Sequence, residues 1–166
     1  DLDAAESELR AQLERARAAG LAPAHLDGHH HVHVFPGLFE RVCALAREHG
    51  VPAVRVPGEP ARLRHPGARG KRLLLSLLSR GARETARRHG LSVTDHFRGL
   101  SLFDVVGGHH SRLLALLEAL PEGATELMVH PRPGPAGEAE VRSLTDPATR
   151  TALDRLGVRL ATFGTA

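Results

Sequence analysis

Hydrophobic and polar positions alternate along this chain in two rhythms, helical stretches and short apolar runs, with glycines between them. From Ala4 to Ala19, Leu9, Leu13 and Ala16 share one face among Glu and Arg residues, the spacing of an amphipathic helix. Gly20 follows where a helix C-cap belongs. A short apolar segment, Leu21 to Leu26, ends at Asp27-Gly28. Pro36 lies near the start of a second helix carrying Leu38, Phe39, Val42, Leu45 and Ala46, closed by Gly50. Val51 to Val56 is a β-branched run that predicts a buried strand. Pro57 to Gly70, rich in Pro, Gly and Arg, predicts a loop, and Lys71 to His89 a long helix ended by Gly90. Leu91 to Thr94 predicts a third strand, and Asp95 to Gly108 a functional loop with a short apolar stretch. A helix over His110 to Leu120 and a strand over Thr125 to Val129 come next, then a Pro/Gly loop. A helix over Asp146 to Leu156 and a fifth strand over Val158 to Phe163 complete the chain.

This order predicts one domain over 1–166, α/β in class, built on a parallel sheet or partial (β/α) barrel. Catalytic groups in such folds gather on loops at the carboxyl ends of the strands. His29, Arg55, Asp95 and His130 all fall at or just beyond expected strand ends, which places the four in one site. Five strands are fewer than the roughly eight of a closed barrel, so an open edge needs cover, and a homodimer is one expected source of it.

Composition narrows the setting. No apolar run approaches the roughly 18 residues that cross a bilayer, so no membrane partner is expected. The acidic, helical start is no signal peptide, and the lone Cys43 closes no intrachain disulfide, which together predict a cytoplasmic protein. Cys43 occupies an apolar helical position and reads as core. The net charge is +3, with Lys71 the only lysine. The basic stretch from Arg62 to Arg88 could serve nucleic acid, but acidic residues nearly balance it across the chain and the five aromatics are all Phe. A solvated arginine-rich face is the better reading, with no nucleic-acid partner.

Candidate chemistry centres on His25-Leu26-Asp27-Gly28-His29-His30-His31-Val32-His33. It gathers five imidazoles and a carboxylate, in a chain of 12 histidines. Imidazole is a common ligand of zinc and related divalent ions, and a carboxylate ligates or orients a ligand. Extended backbone would put His25, Asp27, His29, His31 and His33 on one face, with His30 on the other. A tag remnant, an exposed metal-buffering tract and a set of structural histidines are the alternatives to a metal-dependent active site. A second feature is Glu126-Leu127-Met128-Val129-His130-Pro131, an apolar strand ended by a histidine and stopped by proline. Arg55 ends its strand in the same way and by default would be an ion-pair partner. There is no Gly-rich phosphate loop before a helix and no Gly-x-Ser-x-Gly elbow, which leaves hydrolysis by metal-activated water.

The run Pro23 to Pro36 resembles the signature of the YdjC-like carbohydrate deacetylases, usually His-x-Asp-Ser-His-x-His-x-His, with Gly28 in place of the serine. Glu126 to Pro131 is similar to the family's later motif, where Cys often stands at the position of Val129. Arg142 to Asp146 and Gly157 to Phe163 resemble its closing helix and strand. The resemblance implies a distorted barrel of the polysaccharide-deacetylase type and a divalent ion, Mg or Zn, held by one Asp and two His. His29 matches one of those histidines. The Asp-Asp-Phe-Gly motif and the Gly-x-His segment that carry the other two ligands have no counterpart, so the chain is expected to correspond to the last two thirds of a family member. A molecule of these residues alone is expected to bind metal weakly and hydrolyse little.

The resemblance also implies N-acetylated sugars or oligosaccharides as substrates. On that basis His130 is the expected general acid and Asp27 orients an imidazole. Arg55 and Asp95 are expected on substrate, and His25, His31 and His33 as supporting or substitute ligands. The competing expectations are an inactive family fragment stabilised by strand pairing in an oligomer, and a simple metal-binding module.

Overall fold

The computed structural model describes residues 1–59, 69–103 and 105–163. The chain divides into two compact units, Asp1–Thr94 with the segment from Ala161, and Asp95–Leu160.

In the first unit, α1 (Leu2–Ala18) starts at an Asp1 N-cap whose carboxylate accepts the Asp3 N–H at 2.9 Å. Asp3 in its first turn and Arg15 and Arg17 in its last oppose the helix dipole. It lies along α2 (Leu38–Glu48), and Arg41 of α2 binds Asp3 and Glu6 of α1 at 2.7 and 2.6 Å. Phe39, Val42, Cys43, Leu45 and Ala46 form the buried stripe of α2, as the helical spacing predicts. Burial pushes the Cys43 thiol up to about 12, so it stays protonated and inert. α3 (Arg69–Arg88) packs on α2, with Arg88 and His89 both reaching Glu40.

Of the three apolar runs expected as strands in this unit, only Val51 to Val56 is largely buried, and all three are barely paired. Leu26 bridges Val54 and Ala53 bridges Ser92, both parallel, so the middle run lies between the other two. Pro23 and Pro52 lack an N–H and interrupt the ladder their runs could otherwise extend. No strand forms at Val158 to Phe163 either; Leu160 there is exposed, and Phe163 stacks on His25 at 4.0 Å. Most of the expected loop Pro57 to Gly70, residues 60–68, lies outside the described residues.

In the second unit, β1 (His96–Arg98) and β2 (Thr125–Leu127) pair in parallel, His96 opposite Thr125. β1 falls inside the stretch expected as a functional loop, because a three-residue strand with only Phe97 buried gives no visible alternation. Gly99 ends it with φ +126, and an added Cβ there would collide with the Met128 carbonyl oxygen. Helices α4 (His109–Glu118), α5 (Pro135–Thr145) and α6 (Pro147–Arg155) pack together around Leu102, Leu113, Leu117 and Ala152. The expected Pro/Gly loop after β2 is thus partly helix. Pro135 sits in the first turn of α5, where the missing N–H costs nothing, and Gly137 is needed because the Arg132 carbonyl occupies the space of a Cβ.

Parallel pairing and flanking helices make the fold α/β, as expected. Among the described residues, no helix is long and apolar enough to cross a membrane.

Candidate active site

The histidine-rich segment is not extended. Residues His29–Val34 form a 3₁₀ turn kinked at His30 and His31, whose φ values are +54° and +62°. Left-handed backbone at two successive non-glycine residues costs on the order of 1–2 kcal/mol each. The kink cancels the expected alternation, so the five side chains do not share a face. His31 and His33 turn inward, 6% and 3% exposed, while His29 and His30 remain exposed with their rings in a T-shaped contact, centroids 4.1 Å apart.

What converges is a cluster around Asp27. Its Oδ1 accepts the Gly28 N–H at 2.7 Å and lies 3.7 and 3.6 Å from Nδ1 of His31 and of His33. Its Oδ2 is paired with the Arg55 guanidinium. Arg55 is held by the bridge beside it, its N–H donating to the Leu26 carbonyl at 2.9 Å. His33 Nε2 donates to the Arg55 carbonyl at 2.9 Å; a carbonyl only accepts, so this nitrogen carries the proton. The ring is thereby fixed on Arg55's backbone, while its Nδ1, unprotonated in this tautomer, lies 3.6 Å from Asp27 Oδ1 without a hydrogen bond to it. Gly28 makes room for it, since an added Cβ would lie 2.9 Å from both Cβ and Nδ1 of His33.

Electrostatics follow the packing. Burial alone would raise the Asp27 carboxyl, but His31, Arg55, His33 and the Gly28 N–H together hold it below the usual carboxylate range. Burial lowers His33 and outweighs the hydrogen bond to the Arg55 carbonyl and the attraction of Asp27, so the ring is kept neutral. His25 is lowered by burial first and then by the charge of Arg55.

His29, the expected metal ligand, is not drawn into this cluster. Among the described residues, no group of three or more His, Cys, Asp or Glu side chains is arranged to hold a metal ion.

In the second unit, His130 stands three residues beyond the carboxyl end of β2. Its N–H donates to the buried Glu140 carboxylate at 2.8 Å, and its ring meets Phe103 edge-on at 5.0 Å. Arg132 lies over the same Phe103 ring, 5.2 Å from its centre. Asp95, expected at the carboxyl end of a strand, stands instead just before β1, at the end of the strand pair opposite His130. Its carboxylate accepts the Ala124 N–H at 2.9 Å and closes the turn into β2. Sequence reasoning passed over Phe103, Arg132 and Glu140. The first lies in a stretch whose apolar run was visible, and the other two lie in a segment whose prolines and glycines read as loop.

Comparison with known proteins bears on this geometry. A carbohydrate deacetylase of Mus musculus is 36% identical over 92% of this chain and 59% of its own length. One from Geobacillus stearothermophilus is 32% identical over 95% and 58%. The chain thus spans under two thirds of the relatives it matches. A crystal structure from Enterococcus faecalis V583, described as a candidate cellobiose-phosphate cleavage protein, shares the fold with a TM-score of 0.74. It is 22% identical and matches 99% of this chain and 60% of its own. The family model described as YdjC-like protein matches residues 1–155, nearly the whole chain, and the chain belongs to the YdjC-like family.

Proposed function

We propose that this chain takes part in hydrolysing the acetamido group of N-acetylated sugars or oligosaccharides, as a carbohydrate deacetylase. The observation that carries the reading is the Asp27–His33–Arg55 cluster, in which a buried, neutral imidazole is fixed in tautomer and orientation beside a carboxylate. Held groups of this kind, arranged at functional sites, supply directed proton transfer and substrate orientation. The names of the relatives, carbohydrate deacetylases, support the substrate class.

Amide hydrolysis adds water to the carbonyl carbon, breaks the C–N bond and leaves acetate and a free amine. The departing nitrogen must gain a proton. We assign that donation to His130, whose backbone is tied down by Glu140 while its ring stays partly open to solvent. The Arg55 carbonyl holds the His33 imidazole beside Asp27, and the Arg55 guanidinium holds the Asp27 carboxylate. A divalent cation, Mg or Zn, would supply Lewis-acid polarisation of the amide carbonyl when bound. The described residues offer no set of three donors for one, so we expect the 166-residue chain to bind such an ion weakly. A cytoplasmic setting goes with this reading, since the one thiol is buried and unpaired.

The test is acetate release from N,N′-diacetylchitobiose with Mg or Zn added. Slow release above the buffer rate is expected, falling roughly a hundredfold in His130→Ala, the loss typical of a missing general acid. No release from the wild-type chain with either ion, or release undiminished in both His130→Ala and Asp27→Asn, would refute the activity.

A further inference from the structure

Phe103 leaves a large apolar ring 44% exposed, while its neighbour Leu102 is buried. A single exposed hydrophobic residue is ordinary on a protein surface. This ring differs in being held. It sits on the loop beyond the carboxyl end of β1, and two side chains from the loop beyond the neighbouring strand β2 grip it. His130 meets it at 80°, and the Arg132 guanidinium lies over it. Arg132 is itself seated, its carbonyl packed against the bare Cα of Gly137 in the first turn of α5. Crevices at the carboxyl ends of parallel strands are where ligands bind in α/β folds.

A pyranose ring has one face of C–H bonds and a rim of hydroxyls. An exposed aromatic ring suits the first, and a planar cation with several N–H donors beside it suits the second. We propose that Phe103 is a sugar-stacking platform and that Arg132 binds the hydroxyl or acetamido oxygens at its rim, setting the pyranose beside His130. This rests on the deacetylase reading for the identity of the sugar, but not for the platform itself. Phe103 is a positioning residue; it moves no proton.

The chain contains no Trp and no Tyr, so Phe103→Trp creates a single indole at the platform. Titrating this variant with N,N′-diacetylchitobiose is expected to give a saturable change in indole emission. Leu21→Trp, an exposed position in the first unit, is the control and should stay unresponsive. In acetate release, Phe103→Leu should raise KM on the order of tenfold, the size of one aromatic contact, with kcat little changed, and Phe103→Tyr should restore it. A saturable indole response without acetate release would keep the platform and remove the deacetylase reading. Acetate release with a silent indole and an unchanged KM would overturn the platform and leave the activity standing. An equal response at Leu21→Trp, or silence in both readouts, would overturn the platform as well.

Discussion

Replacing Asp27 by Asn removes one charge from the centre of the histidine cluster while keeping the shape of the side chain and the oxygen that accepts the Gly28 N–H. The guanidinium of Arg55 and the rings of His31 and His33 then face a neutral amide. Breaking a fully buried pair costs about 3–5 kcal/mol, and an exposed pair contributes about 0–1. With the Asp27 side chain 29% exposed and that of Arg55 16%, this pair lies between those limits, and a loss of about 2 kcal/mol is expected, roughly 30-fold in the unfolding equilibrium. Urea denaturation followed by circular dichroism at pH 7 measures it, with an unchanged slope as the check on two-state behaviour. The variants Arg55→Met and Asp27→Asn/Arg55→Met complete the cycle, and the double variant should be more stable than the sum of the single losses implies. Because the Asp27 carboxyl is held below the usual range, its contribution is present above the unfolded value of about 3.9 and is lost as pH falls through the lower folded value. The gap between wild type and Asp27→Asn should therefore be full at pH 7 and close on acidification below about pH 4. A change under about 0.5 kcal/mol at pH 7, or strictly additive single losses, would show that the carboxylate does not organise the cluster.

Two further outcomes are expected. Burial keeps His25, His33 and His109 below the ordinary histidine value, so their neutral forms favour the folded state. The unfolded chain binds their protons first, and stability should be full above about pH 6.5 and fall as pH drops below it; His33→Gln should flatten that slope, and an unaltered slope in thermal melts from pH 7.5 to 5.5 would refute the role. Gly137→Ala drives a methyl into the Arg132 carbonyl and should cost about 1–3 kcal/mol, whereas Gly81→Ala, in open space on α3, should stabilise by about 0.5–1 kcal/mol; thermal shifts of the same sign for both would contradict the geometry.

The helices were legible because their signals are redundant. Along α2 the apolar positions repeat at helical spacing and Gly50 closes the element, so no partner had to be known. The sheet was legible only as burial. Val51 to Val56 is as buried as a strand should be, yet pairing depends on what lies alongside, and Pro52 and Pro23 had already removed donors. Helix α5 was hidden by composition, since Pro and Gly normally break helices; Pro135 is harmless in the first turn, and Gly137 answers a contact with Arg132 that no local pattern reveals. Phe103 shows the same limit, because its neighbours come from the loop after a different strand.

For the histidine tract, composition identified the segment but assigned the side chains to the wrong faces, because two backbone angles decide them. Positive φ at His30 and His31 is unfavourable on its own, so it persists only if something gained nearby exceeds the strain. The gain on offer is the seating of His31 and His33 against Asp27, with His33 closed onto the Arg55 carbonyl. The contacts that would orient a reacting imidazole are then the same contacts that hold the turn in shape. A large substitution in this cluster must disturb fold and chemistry together, and activity loss alone cannot assign a role to any of these residues. Asp27→Asn escapes this difficulty in part: it keeps the volume and the Gly28 hydrogen bond, so the charge is the one quantity removed. If the variant retains most of its stability at low pH, where the wild-type carboxylate is neutral as well, then activity missing at neutral pH beyond what the lost stability explains belongs to the charge on Asp27 and not to the collapse of the turn.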